Sequence, residues 1–173
     1  MRAWAPTYRR ESWTRALVEH GIDDPPFAER LAQTFPRERR ARHVVYPDVG
    51  PALQEARKTY RLALLTNGAP DLQREKLAGS GLEPCFDVVI ISGEAGVGKP
   101  DPRLFALALG RLDVSLEEAV MVGNSLRSDI AGAQGAGIKA IWLNRAGKAL
   151  DRAIVPDAQI AGLGELERAL STL

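Results

Sequence analysis

Three short polar stretches hold the groups best able to do chemistry: Thr66-Asn67-Gly68, Lys99, and Asn124 with Asp129. Together they offer a hydroxyl and amides, an ammonium, and a carboxamide–carboxylate pair. A phosphate accompanied by a divalent cation asks for groups of that kind. Each stretch alone has an ordinary reading. Thr-Asn-Gly is a common turn, a loop Lys before Pro usually faces solvent, and an Asp near a helix start can simply favour the helix dipole. They make a site only if the fold gathers them in one place.

The elements around them predict that it does. Ala119 to Val122 is an apolar run that reads as a buried parallel strand, broken by Gly123. Asn124-Ser125 are N-cap types for a helix from about Leu126 to Ala136. Leu62 to Leu65 is a second strand, running into Thr66. Asp87 to Ile91 is a third, followed by a loop from Ser92 to Asp101 that contains Lys99. Helices are expected from Asp48 (as cap) to about Tyr60, from Pro70 to Ala78, and from Pro102 to Leu112. A strand over Lys139 to Leu143 and a last helix over Leu163 to Leu170 complete the pattern. Strands alternating with helices mean a parallel α/β sheet. All three polar stretches then follow strand C-termini, the edge where open α/β sheets bind ligands.

Residues 1–46 have a different texture. Trp13, Leu17 and His20 recur at helical spacing up to Gly21, and Phe27, Leu31, Thr34 and Phe35 predict a second helix ending at Pro36. No strand is expected there. The basic cluster from Arg37 to His43 is interrupted by Glu38 and reads as a solvated helix face.

Composition narrows the class. The 173 residues are 45% apolar and carry a net charge of +1, which gives no case for nucleic acid as a partner. No apolar run approaches membrane-spanning length, and the N-terminus lacks a signal-peptide core. The single Cys85 excludes an internal disulfide and fits a reducing, cytoplasmic setting.

Leu64 to Gly68, Gly98-Lys99-Pro100-Asp101, and Val122 to Asp129 resemble motifs two, three and four of the haloacid dehalogenase (HAD) superfamily, in the family's order. Tyr46-Pro47-Asp48-Val49 and Phe86-Asp87 are similar to its usual approach to helices and strands. The resemblance implies a three-layer αβα, Rossmann-like core over residues 47–173, with residues 1–46 as a partial helical cap. It also implies a phosphatase acting on a small phosphorylated metabolite through an aspartyl-phosphate. Thr66, Asn67 and Gly68 would hold the phosphoryl oxygens, with Lys99 neutralising charge beside Thr66 as the second catalytic group. Asn124 and Asp129 would serve magnesium.

Two departures from the family pattern follow. Asn124 stands where magnesium-dependent members usually carry Asp, which implies weaker metal affinity. Metal-free dehalogenases carry Asn or Ser in this region too, but usually with an aromatic residue where Ser128 stands, so phosphatase is preferred to 2-haloacid dehalogenase. The first motif, an apolar strand ending in Asp-x-Asp, is absent from the 173 residues, and with it the nucleophile and the central strand of the sheet. The expectation is an N-terminally truncated, inactive form, with a non-catalytic binding protein as the alternative. Gly93 to Lys99 also matches a P-loop as far as its Lys, but Pro100 stands where a hydroxyl and an amide are needed, so a P-loop nucleotidase is the remote alternative.

Overall fold

The computed structural model describes residues 4–42, 44–150 and 153–173. His43, the end of the basic cluster, lies outside them, as do Met1 and Arg2. The chain divides into two compact units, Met1–Val44 and Val45–Leu173.

The first unit is a helical hairpin of α1 (Trp4–Glu19) and α2 (Pro25–Ala41). Gly21, at φ 75°, turns the chain between them. Leu17, Ala28 and Ala32 are buried where the helices meet, and the Trp13 ring meets Phe35 edge-on at 5.5 Å. Contrary to expectation, α2 runs through Pro36 to Ala41. Proline removes a single helical N–H, and Arg37-Glu38-Arg39-Arg40-Ala41 are strong helix formers that carry the helix on. Arg37 and Arg42 flank Glu38 at 3.7 and 3.6 Å on an exposed face.

The second unit begins with α3 (Val49–Ala56) and β1 (Ala63–Thr66), then α4 (Pro70–Ser80) and β2 (Val88–Ile91). Next come α5 (Ser92–Ala95), α6 (Pro102–Leu112) and β3 (Val120–Gly123). A π-helical turn over Leu126–Ile130 leads into α7 (Ala131–Gly135), followed by β4 (Lys139–Leu143), β5 (Ala158–Ile160) and α8 (Leu166–Leu170).

Several expected bounds shift. Helix α3 stops at Ala56, and Asp48 makes no capping bond because its carboxylate is drawn to Arg145 and the Leu163 N–H. The expected loop after β2 holds the short α5. The helix expected over Leu126 to Ala136 is split by its π-helical first turn. Strand β5 was not expected at all; it forms by parallel pairing with β4, reinforced where Asp157 accepts the Ala140 N–H.

Every strand pair is parallel, but the strands form two sheets: β1–β2, and β3–β4–β5. Alternation along β4 defines the layers. Ala140 and Trp142 pack with Phe105 of α6 and Ile130 and Ala133 on one face, while Ile141 packs with Ile160 and Ala169 of α8 on the other. Leu65 of β1 joins both the Phe105 cluster and the cluster of Ile90, Leu104 and Ala108, so α6 spans the two sheets. Among the described residues, β1 pairs only with β2 and β3 only with β4. Both strands are half-buried along their whole length, whereas Ile90 and Ile91 of β2 and Ala140 to Trp142 of β4 are buried. Each sheet therefore has two edge strands among the described residues, β1 and β2 in one and β3 and β5 in the other, and the outer edges of β1 and β3 leave backbone groups open to a further strand. Among the described residues, no helix is long and apolar enough to cross a membrane.

Candidate active site

The three polar stretches do meet, at the C-terminal ends of β1, β2 and β3. Lys99 joins them. Its Nζ donates to the Leu65 carbonyl at the end of β1 at 2.6 Å, and pairs with Asp129 Oδ1 beyond β3 at 2.8 Å. The Lys99 and Asp129 side chains are only 10% and 7% exposed. A buried pair of this kind persists because the remaining carboxylate lone pairs also find donors. Here the Ser125 N–H donates to Asp129 Oδ2 at 2.9 Å.

That contact depends on local backbone geometry. Ser125 caps the turn by accepting the Ser128 N–H on its hydroxyl, and the π-helical turn folds Asp129 back over the strand end. A Cβ on Gly123 would lie 2.3 Å from the Asp129 Cβ and 2.5 Å from its Oδ2, so only glycine lets the carboxylate return over the strand. From β4, the buried Trp142 indole donates to the Asn124 carbonyl at 3.1 Å and fixes the start of the same loop.

The remaining groups divide into bound and free. The Asn67 carboxamide is committed to the Lys99 backbone, accepting its N–H at 2.9 Å and donating to its carbonyl at 2.8 Å. The Gly68 N–H donates to Ser92 Oγ at 3.0 Å. The Thr66 hydroxyl and the exposed Asn124 carboxamide, by contrast, are engaged by no other described group. The rim thus offers a hydroxyl and a carboxamide beside a fixed ammonium, a set that can receive an anionic oxygen cluster.

Two other acidic residues, Asp101 and Asp48, are engaged away from Lys99. Asp101 accepts from Arg103 Nη2 at 2.7 Å and caps α6 through the Arg103 N–H. The Arg103 side-chain and backbone bonds hold its carboxyl down at about 2. Asp48 is pushed up by desolvation, but the Arg145 guanidinium and the Leu163 N–H outweigh that and hold it below the usual carboxylate range. Among the described residues, no group of three or more His, Cys, Asp or Glu side chains is arranged to hold a metal ion. The P-loop reading fails on geometry, because Lys99 turns to Leu65 and Asp129 instead of reaching into a cradle formed by its own loop.

Ser125 caps the turn as its N-cap type predicts, whereas Ser92 and Trp142 take part and were not singled out from sequence. Ser92 directly follows β2 at the edge already suspected, and was the one open to discovery by position.

Comparison with known proteins adds a lineage. Residues 7–137 match the model of the haloacid dehalogenase-like hydrolases. Over 165 residues the chain is 48% identical to phosphoserine phosphatase from Thermus thermophilus, covering 95% of this chain and 66% of that protein. It thus spans just under two thirds of that relative. It is similar in structure to the HAD-hydrolase YfnB from Bacillus subtilis, solved with magnesium bound. The TM-score is 0.82 at 28% identity, covering 94% of this chain and 71% of that one. A 2-haloacid dehalogenase from Pseudomonas syringae gives a TM-score of 0.72 at 38% identity, covering 96% of this chain and 71% of that one.

Proposed function

The chain belongs to the haloacid dehalogenase-like hydrolases, and on that premise we propose that it forms the phosphate-holding part of a phosphatase for a small phosphomonoester. The observation that carries the reading is the Lys99 ammonium, held between Leu65 O and Asp129 Oδ1 at the sheet edge, beside the free Thr66 hydroxyl. In phosphoryl transfer the protein mainly positions groups and stabilises charge. Lys99 balances the charge on the phosphoryl oxygens, Thr66 donates a hydrogen bond to one of them, and Asp129 holds the ammonium in place. The 48% identical relative is a phosphoserine phosphatase, which supports a phosphomonoester as substrate class. The lone Cys85, free among the described residues, supports a reducing, cytoplasmic setting.

The attacking carboxylate is the part that the described residues do not supply at this edge: Asp129 is paired with Lys99, and Asp48 and Asp101 are tied elsewhere. The unpaired edges of β1 and β3 support a strand between the two sheets as its source. Without that strand the chain binds but does not turn over.

Magnesium belongs to the same proposal, and the residues present fit it only in part. Asn124 offers a carbonyl oxygen, and Asp129 Oδ2 keeps a lone pair beside its bond from Ser125. Magnesium keeps several waters and is usually held by one or two carboxylates with substrate oxygens, so what this pair lacks is charge, since Asn124 is neutral and the Asp129 charge is shared with Lys99. Carboxylates on the inserted strand would have to add charge, and the ion would neutralise charge on the phosphoryl group.

The test is calorimetric titration of the chain with inorganic phosphate. Lys99→Ala should abolish measurable binding, and Thr66→Ala should weaken it about tenfold, the equivalent of one hydrogen bond of about 1.4 kcal/mol. Phosphate affinity indifferent to Lys99→Ala would sink the reading. The dehalogenase relative sustains a second reading, whose signature is metal-free hydrolysis of 2-haloacids with phosphate esters untouched.

A further inference from the structure

The geometry points to Asn67 as a positioning residue that sets where the Lys99 ammonium stands, its side chain gripping the Lys99 backbone rather than the substrate. The role of that ammonium rests on the phosphatase reading above; the grip itself rests on geometry alone.

The loop after β1 and the loop that carries Lys99 are 32 residues apart in sequence, and no ladder pairs them. The Asn67 carboxamide joins them as a short bridge, its Nδ2 donating to the Lys99 carbonyl at 2.8 Å and its Oδ1 accepting the Lys99 N–H at 2.9 Å. A carboxamide is the one short side chain with a donor and an acceptor side by side, so it can satisfy a peptide N–H and C=O at once. Asn67 is itself fastened from behind, where Gln73 Nε2 donates to its carbonyl at 2.9 Å. The next residue is fastened too, by the Gly68 N–H to Ser92 Oγ and by the Gly93 N–H to the Gly68 carbonyl. The approach is close: a Cβ on Gly98 would lie 2.9 Å from Asn67 Oδ1 and 3.0 Å from the Ser92 Cβ.

Lys99 is therefore held at both ends, its backbone by Asn67 and its ammonium by Leu65 and Asp129. A lysine side chain has a flexible four-carbon stem, and fixing only the tip leaves the stem free to carry it elsewhere. Misplacing a catalytic group by about 1 Å can cost on the order of a hundredfold in rate, so a clamp on its backbone matters to chemistry as well as to folding. Aspartate at position 67 would still accept the Lys99 N–H, but would set its second oxygen against the Lys99 carbonyl, leaving half a clamp.

The experiment measures acylation of individual lysines in the chain by mass spectrometry, at one pH, against the exposed Lys58 as internal reference. In the wild-type chain Lys99 should react slowly. Asn67→Ala should raise its rate at least tenfold relative to Lys58, and Asn67→Asp should fall between. Gly98→Ala attacks the clamp from the other side and should act like Asn67→Ala; it carries the test if Asn67→Ala does not melt cooperatively. A residue that served stability alone would change all lysines together, not Lys99 selectively. Lys99 reactivity unchanged in Asn67→Ala and Gly98→Ala would overturn the proposal. Titration with inorganic phosphate separates it from the function beneath it. If the variants free Lys99 but the wild-type chain binds no phosphate, the clamp stands and the phosphatase reading falls. If wild type and variants bind phosphate equally well, the clamp has no role in the site and the proposal falls.

Discussion

Replacing Asp129 by Asn should destabilise the second unit far more than any exposed ion pair could. The substitution keeps the shape of the side chain and removes its charge. Lys99, with a side chain 10% exposed, would keep the Leu65 carbonyl and lose its only anionic partner among the described residues. One amide oxygen could still serve either Lys99 or the Ser125 N–H, and the NH2 would face the other donor. Breaking a buried pair by removing one partner costs roughly 3–5 kcal/mol, because the remaining charge is left uncompensated. For a chain of this size each kcal/mol moves the melting temperature by about 2–4 °C, so the expected drop is on the order of 6–20 °C. Differential scanning calorimetry measures it directly. The double variant Lys99→Met/Asp129→Leu removes both charges and should recover most of the loss, since apolar replacement of a buried pair is often neutral or better. A drop of under about 2 °C in the single variant, or a double variant no more stable than the single, would refute the reasoning.

Two further outcomes are expected. Asp101 has its folded pKa pulled down to about 2 by Arg103, from an ordinary 3.8. A depressed carboxylate pKa stabilises the fold at pH above the unfolded value, and the gain fades as pH falls towards the folded one. The urea midpoint of Asp101→Asn should therefore lie below wild type at neutral pH, with the difference closing between pH 4 and pH 2; a gap constant to pH 2 would contradict this. Asn124→Asp adds a full charge to a hard-oxygen site and should tighten magnesium binding several-fold by calorimetry; an unchanged affinity would put Asn124 outside the metal shell.

Much of the architecture was legible because its cues are local. Helix α6 was read at both ends, since Asp101 caps it and Pro102 opens it. Strand β4 was readable because both its faces are buried and its apolar run is unbroken by turn residues. Strand β5 was not, because the alternation of Ala158-Gln159-Ile160 is only three residues long and the strand exists by pairing with β4. Pro36 misled because it removes a single helical N–H and the residues after it, Arg37 to Ala41, are strong helix formers. The π-helical turn escaped because it depends on Asp129 reaching back past Gly123 to Lys99, a tertiary demand. At the site, the kinds of group and their common edge followed from the strand ends. Which were free and which were committed did not. Thr66 and Asn67 are neighbours in sequence, yet one presents an open hydroxyl and the other spends its side chain on Lys99. No spacing rule distinguishes those fates.

On the function proposed above, this chain holds phosphate at the edge of two sheets and takes its attacking carboxylate from a further strand. That function is tested most directly by fusing to the chain's N-terminus an apolar strand ending in Asp-x-Asp, and assaying hydrolysis of a generic phosphomonoester with magnesium present. The unfused chain should show background hydrolysis only. The fused chain should turn over, and lose nearly all of that turnover with Lys99→Ala. Robust phosphatase activity from residues 1–173 alone, or a fused chain that folds with the added strand between β1 and β3 yet leaves phosphate esters intact, would contradict it.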